Sequence, residues 1–491
     1  MAGRANEREM MRGKMAKLQA SALAAILMAF SFEAGIAQEN AETVEAVPTY
    51  SFSGAYLAGR AAEFDNDLES AITYYERAIA LDPDNVELQQ TLLLTMISSG
   101  RLEEALPLAE KLKTVPEAER FSRIVLAVDA FKNEDFAAAE RWLDIVIESD
   151  LDRLVNGVMT SWALAGQGDH DAALANVDSL KGPEWYEFFL NYHRALLLAD
   201  AGRQDEAKEA FENLLNEVAP RPLTNDTFGR VTTAYAALLS SNGDTKAALD
   251  AVEKVQETGR DSMTIGEVRR GLEEGEAFAP LVQGPSDGAA EILLNIATEL
   301  ASSGGDAFVR LYLQYALALR PDSDEALVQL AHVAERQQQG EQAIALYRRV
   351  DADSPWARLA DFQIGLNLAD LERPEEAVAY LKEVLEKDPT DMRGYLALGG
   401  VYFSQEDFQS GAELYDREDK HWNIFYQRGI AYERLKEWDK AEPNFRKALE
   451  LYPDHPQVLN YLGYSWVDMH MNLEEGLELI RRAVELRPSD G

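Results

Sequence analysis

The chain has 491 residues, with 86 Asp or Glu against 47 Lys or Arg and a formal net charge of −39. Such a negative charge repels nucleic acid and anionic lipid surfaces, which excludes a protein that acts by binding either of them. Cysteine is absent, so disulfides, thiolate metal sites and a cysteine nucleophile are excluded as well. With 46% hydrophobic residues the chain can bury a large core.

Residues 1–37 have the order of a secretory signal peptide. Five basic residues open it, followed by a mainly apolar run from Leu18 to Phe32 and by the small residues of Gly35-Ile36-Ala37: Arg4, Arg8, Arg12, Lys14 and Lys17. An uncleaved membrane anchor is the alternative, but the run is short of the roughly 20 apolar residues that span a bilayer. We predict cleavage after Ala37, a periplasmic or secreted protein with no integral membrane segment after cleavage, and a flexible acidic leader at 38–51.

A period of 34 residues begins after the leader. One position carries alanine at steps of 34 and continues with three departures, one of them a valine: Ala71, Ala105, Ala139, Ala173, Ala207, Ala248, Val309, Ala343, Ala377, Gly411, Ala441 and Gly476. A period of this length indicates stacked supersecondary units that bury a continuous core between neighbours. The sequence therefore predicts about twelve units.

The unit at 422–455 shows the internal pattern most clearly. Its apolar spacing predicts one helix from 422 to about 435 and a second from about 439 to 451, joined by a short polar turn. Gly429 would let the two helices approach closely, with Phe445 filling the space between them. Pro443 is expected in the first turn or so of the second helix, where backbone N–H groups have no helical partner.

The spacing of six residues in this unit resembles the tetratricopeptide repeat: Gly429, Tyr432, Ala441, Phe445, Ala448 and Pro453. The resemblance covers nearly everything after residue 50. It implies an all-α protein, a right-handed α-solenoid of about twelve helical hairpins. It also implies that first helices line a concave face that binds a protein or peptide partner.

Breaks in the period divide the chain into two arrays. The N-terminal array is predicted at 52–255, with a longer loop around Pro220 and Pro222. Residues 256–288 lose the phase, contain many glycines, and hold at most one short helix around 264–274. This connector is expected to act as a hinge or a packed irregular link. The C-terminal array follows at 289–491, with a shortened second helix after Gly411.

No catalytic, cofactor or metal motif rises above background. The six histidines show no metal-ligand spacing on one helical face. Acidic pairs such as Glu103-Glu104 occupy the start of second helices, where they complement the helix dipole. Ser302-Ser303-Gly304-Gly305 lacks the Lys and the strand of a phosphate loop and is predicted as a turn. The protein is therefore expected not to be an enzyme, and no cofactor is predicted.

The candidate site is the concave face that the resemblance implies. Its projected residues in the C-terminal array form an aromatic-lined groove: Phe362, Leu366, Arg393, Leu396, Phe403, Asn423, Tyr426, Ile430, Asn460 and Tyr464. The same projection in the N-terminal array gives Phe121, Ile124, Val128, Phe131, Trp162, Phe189, Tyr192 and Leu196. Both sets are more apolar than a solvated face requires. The alternative is that packing of one array on the other buries them.

Two functions stay open on the sequence. The favoured one is a non-catalytic interaction scaffold of the bacterial cell envelope that binds a protein or peptide through this groove. The other is an accessory subunit of an envelope enzyme or of a polysaccharide or pilus export system. The last helix, at about 473–486, repeats an apolar pattern that the next unit would cover, so the array is expected to be incomplete at its end or covered by a partner.

Overall fold

The computed structural model describes residues 51–145, 149–216, 225–257, 263–302, 304–416 and 420–488. All of them belong to the compact unit formed by residues 50–491. The predicted signal peptide and most of the leader lie outside the described residues, as does the loop around Pro220 and Pro222.

The described residues form helices and no strand. Twelve helices make six hairpins of the N-terminal array: α1 (Phe52–Phe64), α2 (Leu68–Leu81), α3 (Val86–Ser98), α4 (Leu102–Leu112), α5 (Glu119–Lys132), α6 (Phe136–Leu143), α7 (Asp150–Gly166), α8 (His170–Ser179), α9 (Tyr186–Asp200), α10 (Gln204–Asn216), α11 (Asn225–Ser241) and α12 (Thr245–Glu257). A connector helix, α13 (Met263–Glu274), follows and packs on α11 and α12.

The next two helices, α14 (Pro285–Ala301) and α15 (Asp306–Leu319), form a hairpin that we call the central hairpin. It begins four residues before the predicted boundary at 289. Five more hairpins complete the C-terminal array: α16 (Asp324–Arg336), α17 (Gly340–Tyr347), α18 (Ala357–Asp370), α19 (Pro374–Lys387), α20 (Met392–Ser404), α21 (Phe408–Tyr415), α22 (Trp422–Arg434), α23 (Trp438–Leu451), α24 (Pro456–Asp468) and α25 (Leu473–Leu486).

The repeat position found in the sequence lies on the second helix of each of the twelve hairpins. Every one of the twelve residues is buried, from Ala71 to Gly476, and Val309 is buried in the same way as the alanines. A small side chain here allows the two helices of a hairpin to pack closely. The all-α repeat fold and its register are thereby confirmed.

Within the unit at 422–455 the two helices fall where the pattern places them. A Cβ atom on Gly429 would lie 2.7 Å from Cε1 of Phe445, so only glycine permits this approach. The expectation for Pro443 is wrong in depth. It is the sixth residue of α23, past the N–H groups that lack helical partners, so this helix loses one backbone hydrogen bond. Pro107 is also the sixth residue of its helix, α4.

The central hairpin lies on the first helices of the N-terminal array. Helix α14 contacts α5, α7, α9 and α11, and α15 contacts α3 and α5. These five are the first helices of successive hairpins, so together they form one surface, which we call the N-terminal first-helix face. The chain itself thus covers most of the face that the repeat resemblance assigns to a partner.

This packing corrects the expectation for the N-terminal array. Seven of the eight residues projected onto its partner face are buried, and Phe121 is half-buried: Ile124, Val128, Phe131, Trp162, Phe189, Tyr192 and Leu196. A Cβ on Gly288 of the hairpin would overlap the Trp162 indole, and Ser286 Oγ donates to the Phe131 carbonyl at 2.9 Å. Packing of one array on the other, the alternative drawn from the sequence, accounts for these apolar residues.

Two further findings concern the surface of the described residues. None of their helices is long and apolar enough to cross a membrane. Helix α25 carries Leu477 and Val484 with about half of each side chain exposed.

Candidate partner-binding face of the C-terminal array

The ten site residues predicted in the C-terminal array lie on four first helices, α18, α20, α22 and α24. Helix α18 contacts α20, and α20 contacts α22. These four helices form the C-terminal first-helix face. Its side chains differ in exposure, which separates those available to a partner from those that hold the hairpins together.

One row of equivalent positions crosses this face. Leu366, Gly400, Ile430 and Tyr464 follow one another at 34, 30 and 34 residues on the four helices. Leu366 is 38% exposed and Tyr464 is 64% exposed, while Ile430 is half-buried. A Cβ on Gly400 would meet no atom within 4 Å, so the row has an open notch at its second position. We call these four residues the row.

Gly400 was missed by the projection from the sequence, because a glycine adds no side chain to a list of apolar residues. The signal that could have found it is the pair Gly399-Gly400. Gly399 occupies the repeat position where the two helices of a hairpin meet, so the second glycine of the pair lacks that structural reason.

Phe362 and Arg393 lie apart from the exposed part of this face. Phe362 is 5% exposed, and the Arg393 guanidinium carbon lies 5.4 Å from the centre of its ring. Arg393 Nη2 is 2.9 Å from Asp391 Oδ2 and 3.5 Å from Oε1 of Glu267 on the connector helix. The hydrogen bond to Asp391 raises the pKa of Arg393. These contacts engage Arg393 within the chain.

Leu396, Phe403 and Tyr426 are half-buried and support the hairpins. The ring centre of Phe403 lies 6.1 Å from that of Tyr415 in an edge contact. Tyr426 lies 6.1 Å from Phe445 and 5.9 Å from Tyr461 between ring centres, and burial raises the pKa of its phenol. Their apolar area stabilises the repeats more than it offers a surface.

Two carboxamides flank the row. Asn460 is exposed, and Asn423 is half-buried with its Oδ1 accepting from the backbone N–H of Ile424 at 3.0 Å. A carboxamide both donates and accepts, which matches the backbone of a peptide. Across the described ranges, no group of three His, Asp or Glu side chains is placed to hold a metal ion. The chemistry of this face is that of apolar contact with peptide-like hydrogen bonds.

A second polar centre lies at the junction of the two arrays and is buried. Arg230 on α11 donates from Nε to Glu291 Oε1 at 2.7 Å and from Nη2 to Glu291 Oε2 at 2.5 Å. Its Nη1 also donates to Glu325 on α16. Tyr192 Oη and Asn295 Nδ2 donate to Glu291 Oε1 at 2.9 and 3.0 Å. One guanidinium thus joins the N-terminal array, the central hairpin and the C-terminal array.

The two carboxylates of this centre differ in their electrostatics. Burial alone would raise the pKa of Glu291, but the charge of Arg230 and its hydrogen bonds lower it to about 2. Burial raises the pKa of Glu325, and Arg230 offsets this only in part. Beside them, Trp162 Nε1 donates to His193 Nδ1 at 3.0 Å, and burial lowers the pKa of His193 to about 4. His193 is therefore neutral at pH 7.

Comparison with known proteins gives the family. Three models described as tetratricopeptide repeat match residues 65–120, 362–422 and 422–455. The chain contains tetratricopeptide repeats. Proteins built from tetratricopeptide repeats are in general protein-interaction scaffolds that bind protein or peptide partners and are non-catalytic.

Among curated proteins, the chain is similar to the general transcriptional corepressor ssn6 of Schizosaccharomyces pombe, with 25% identity over 142 residues, 28% of this chain and 13% of the relative. It is also similar to the protein CTR9 homolog of Arabidopsis thaliana, with 32% identity over 110 residues, 21% of this chain and 10% of the relative. The matches span about a tenth of these relatives.

Solved structures of tetratricopeptide-repeat type are similar at low identity. Cut9 in the APC/C hetero-tetramer Cut9-Hcn1 is 14% identical, with a TM-score of 0.33, and the match covers 90% of this chain and 95% of that one. MamA is 20% identical, with a TM-score of 0.27, covering 32% of this chain and 93% of that one.

Proposed function

We propose that the chain is a non-catalytic protein-interaction scaffold of the bacterial cell envelope that binds a protein partner through its C-terminal first-helix face. The observation that carries this proposal is the row, in which Leu366 and Tyr464 are exposed on either side of the notch at Gly400. The corresponding face of the N-terminal array is covered by the central hairpin. The C-terminal face is thus the one left open to another molecule.

The chemistry of the row favours a peptide segment with apolar side chains. Leu366, Ile430 and Tyr464 offer apolar area, and Asn460 offers a donor and an acceptor for a backbone amide. Exposed aromatic side chains such as Tyr464 are enriched among the residues that dominate binding energy at interfaces.

Site-specific photo-crosslinking in cells tests this assignment. A benzophenone amino acid in place of Tyr464 should give a discrete protein adduct, because the side chain faces the proposed partner. The same amino acid in place of Tyr452 is the matched control, since Tyr452 is 49% exposed but lies at the end of α23, outside the row. Equal adducts at both positions, or none at Tyr464, would contradict the proposal.

Blocking the notch provides the second arm of the experiment. Gly400→Trp fills open space on the row without a steric conflict at its Cβ, so the protein should stay folded while the Tyr464 adduct disappears. Gly266→Trp on the connector helix is the control, because its Cβ also meets no atom within 4 Å. An adduct that survives Gly400→Trp would place the partner elsewhere.

The envelope location is supported by residues 1–37 alone, through their basic, apolar and small-residue order. N-terminal sequencing of the native protein from fractionated cells should find Gln38 as the first residue. An intact Met1, Met11 or Met15 in the cytosol would show that this part of the proposal is wrong.

A further inference from the structure

The contact between the central hairpin and the N-terminal array is rich in hydrogen bonds between side chains of separate elements. Besides the bonds of Arg230 and Tyr192 to Glu291, Tyr312 donates to Asp152 at 3.4 Å and Gln314 donates to the Ser98 carbonyl at 3.3 Å. Contacts between segments that associate as separate bodies are more polar than a single core. The hairpin therefore resembles a bound partner in the composition of its contact.

The course of the chain also sets the hairpin apart. After α12 the connector helix α13 packs on α11 and α12. Residues 275–284 then have no helical structure, and Gly275 has φ +88. Only beyond this stretch does the chain return across the N-terminal first-helix face. An irregular segment at this point leaves the hairpin joined to the N-terminal array mainly through its side-chain contacts.

Glu291 provides most of the polar attachment of α14. It is buried, it accepts two hydrogen bonds from Arg230, and its Oε1 also accepts from Tyr192. Gly288, one turn earlier on the same helix, gives the close approach to Trp162. A helix that presents a small residue and a carboxylate three positions later matches this part of the face.

We propose that the central hairpin is an intramolecular ligand of the N-terminal array, held by Glu291 on Arg230, and that its release opens a second partner-binding face. This rests on the proposed function in taking a first-helix face as a binding surface. The occupant that fits the opened face is an amphipathic helical segment with the small-residue and carboxylate spacing of Gly288 and Glu291.

The hairpin itself supplies the probe. In the full chain, Gly288→Leu with Glu291→Lys would place a side chain against Trp162 and a cation against Arg230, which should displace the hairpin and leave the face of the array unchanged. A fluorescent peptide of residues 285–319 with the natural sequence should then bind this variant at least 100-fold more tightly than the unmodified protein. The same peptide carrying Glu291→Lys should bind the variant at least 10-fold more weakly.

Two results would overturn the proposal. One is a variant with the helical circular dichroism of the unmodified protein that binds the peptide no better. The other is a variant that loses its helical signal throughout, because the hairpin would then be an inseparable part of the core. The Tyr464 crosslink reports on the other array, so the failure of one experiment does not imply the failure of the other.

Native-state hydrogen exchange on the unmodified protein gives an independent measurement. Amides of α14 should exchange through a partial opening at a denaturant concentration where α7 and α9 remain protected. If α14, α7 and α9 exchange only together in global unfolding, the hairpin is not a separable ligand and the proposal is wrong.

Discussion

Gly399 and Gly400 are neighbours on α20 and face different surroundings. A Cβ on Gly399 would overlap the hydroxyl of the buried Tyr415, while one on Gly400 would meet open space. Glycine in a helix interior costs about 0.5–1 kcal/mol relative to alanine, because the unfolded chain loses more freedom on folding. The first glycine is thus required by packing, and the second is not.

We expect opposite effects from the two alanine substitutions. Gly400→Ala should raise the free energy of unfolding by about 0.5–1 kcal/mol, and Gly399→Ala should lower it by about 1–3 kcal/mol because the pair of helices is overpacked. Urea denaturation of the two variants measures both. Equal shifts of the same sign would show that the close approach at Gly399 does not constrain the hairpin.

The buried His193 should make stability depend on pH. Its pKa is about 4 in the folded protein because of burial, against about 6.5 in the unfolded chain. Between these values the unfolded state takes up a proton that the folded state does not, so stability present above pH 6.5 is lost as pH falls toward 4. The corresponding loss from Glu291 comes lower, between about pH 4.5 and 2.

His193→Gln removes the titrating group and keeps an oxygen that can accept from Trp162 Nε1. From pH 6 to pH 5 we expect the unmodified protein to lose about 1 kcal/mol more unfolding free energy than this variant. Parallel stability curves for the two proteins over that interval would show that His193 is not neutral and buried in solution.

Helix α6 is an element in which one side chain compensates for an early end. It stops at Leu143 after eight residues, and Arg123 on α5 donates to three carbonyls there, those of Arg141, Trp142 and Asp144, at 2.8, 2.9 and 2.8 Å. Carbonyls at the end of a helix lack helical partners, and a cation there also complements the helix dipole.

Arg123→Met should keep the apolar stem and remove these hydrogen bonds. We expect a loss of about 1–3 kcal/mol in unfolding free energy and faster hydrogen exchange confined to α6. Lys132→Met is the control, because the ion pair of Lys132 with Glu103 is largely exposed and contributes less than about 1 kcal/mol. An equal effect of the two substitutions would mean that Arg123 does not stabilise the end of α6.

At the level of elements, the sequence predicted the hairpins well. The repeat position identified all twelve second helices, because a small buried residue is needed wherever two helices cross closely. It predicted the depth of Pro443 poorly, since tertiary packing tolerates a lost hydrogen bond that local preference disfavours. The exposure of Leu366 and the burial of Phe362, four residues apart on α18, depend on neighbours that a repeat register does not specify.

The arrangement of the whole unit was beyond the period. A repeat of 34 residues indicates that consecutive hairpins stack, but it does not specify that a later hairpin lies across the first helices of an earlier array. The signal that could have indicated this is in α14, where Glu291 and Asn295 interrupt an otherwise apolar helix. Buried polar residues require partners, and Arg230 and Tyr192 provide them from the other array.

If the central hairpin holds the arrays together, cutting the chain between them should not separate them. A site-specific protease sequence introduced within residues 275–284 would allow cleavage in the irregular stretch before α14. The two pieces should elute together at micromolar concentration, because α14 buries Ile292, Leu293, Leu294 and Ile296, each contributing about 1.5–3 kcal/mol at full burial. The same cut in the Gly288→Leu, Glu291→Lys variant should release the pieces, because its hairpin no longer fits the face. Separation of the cleaved natural sequence would show that the two arrays are held only by the covalent link.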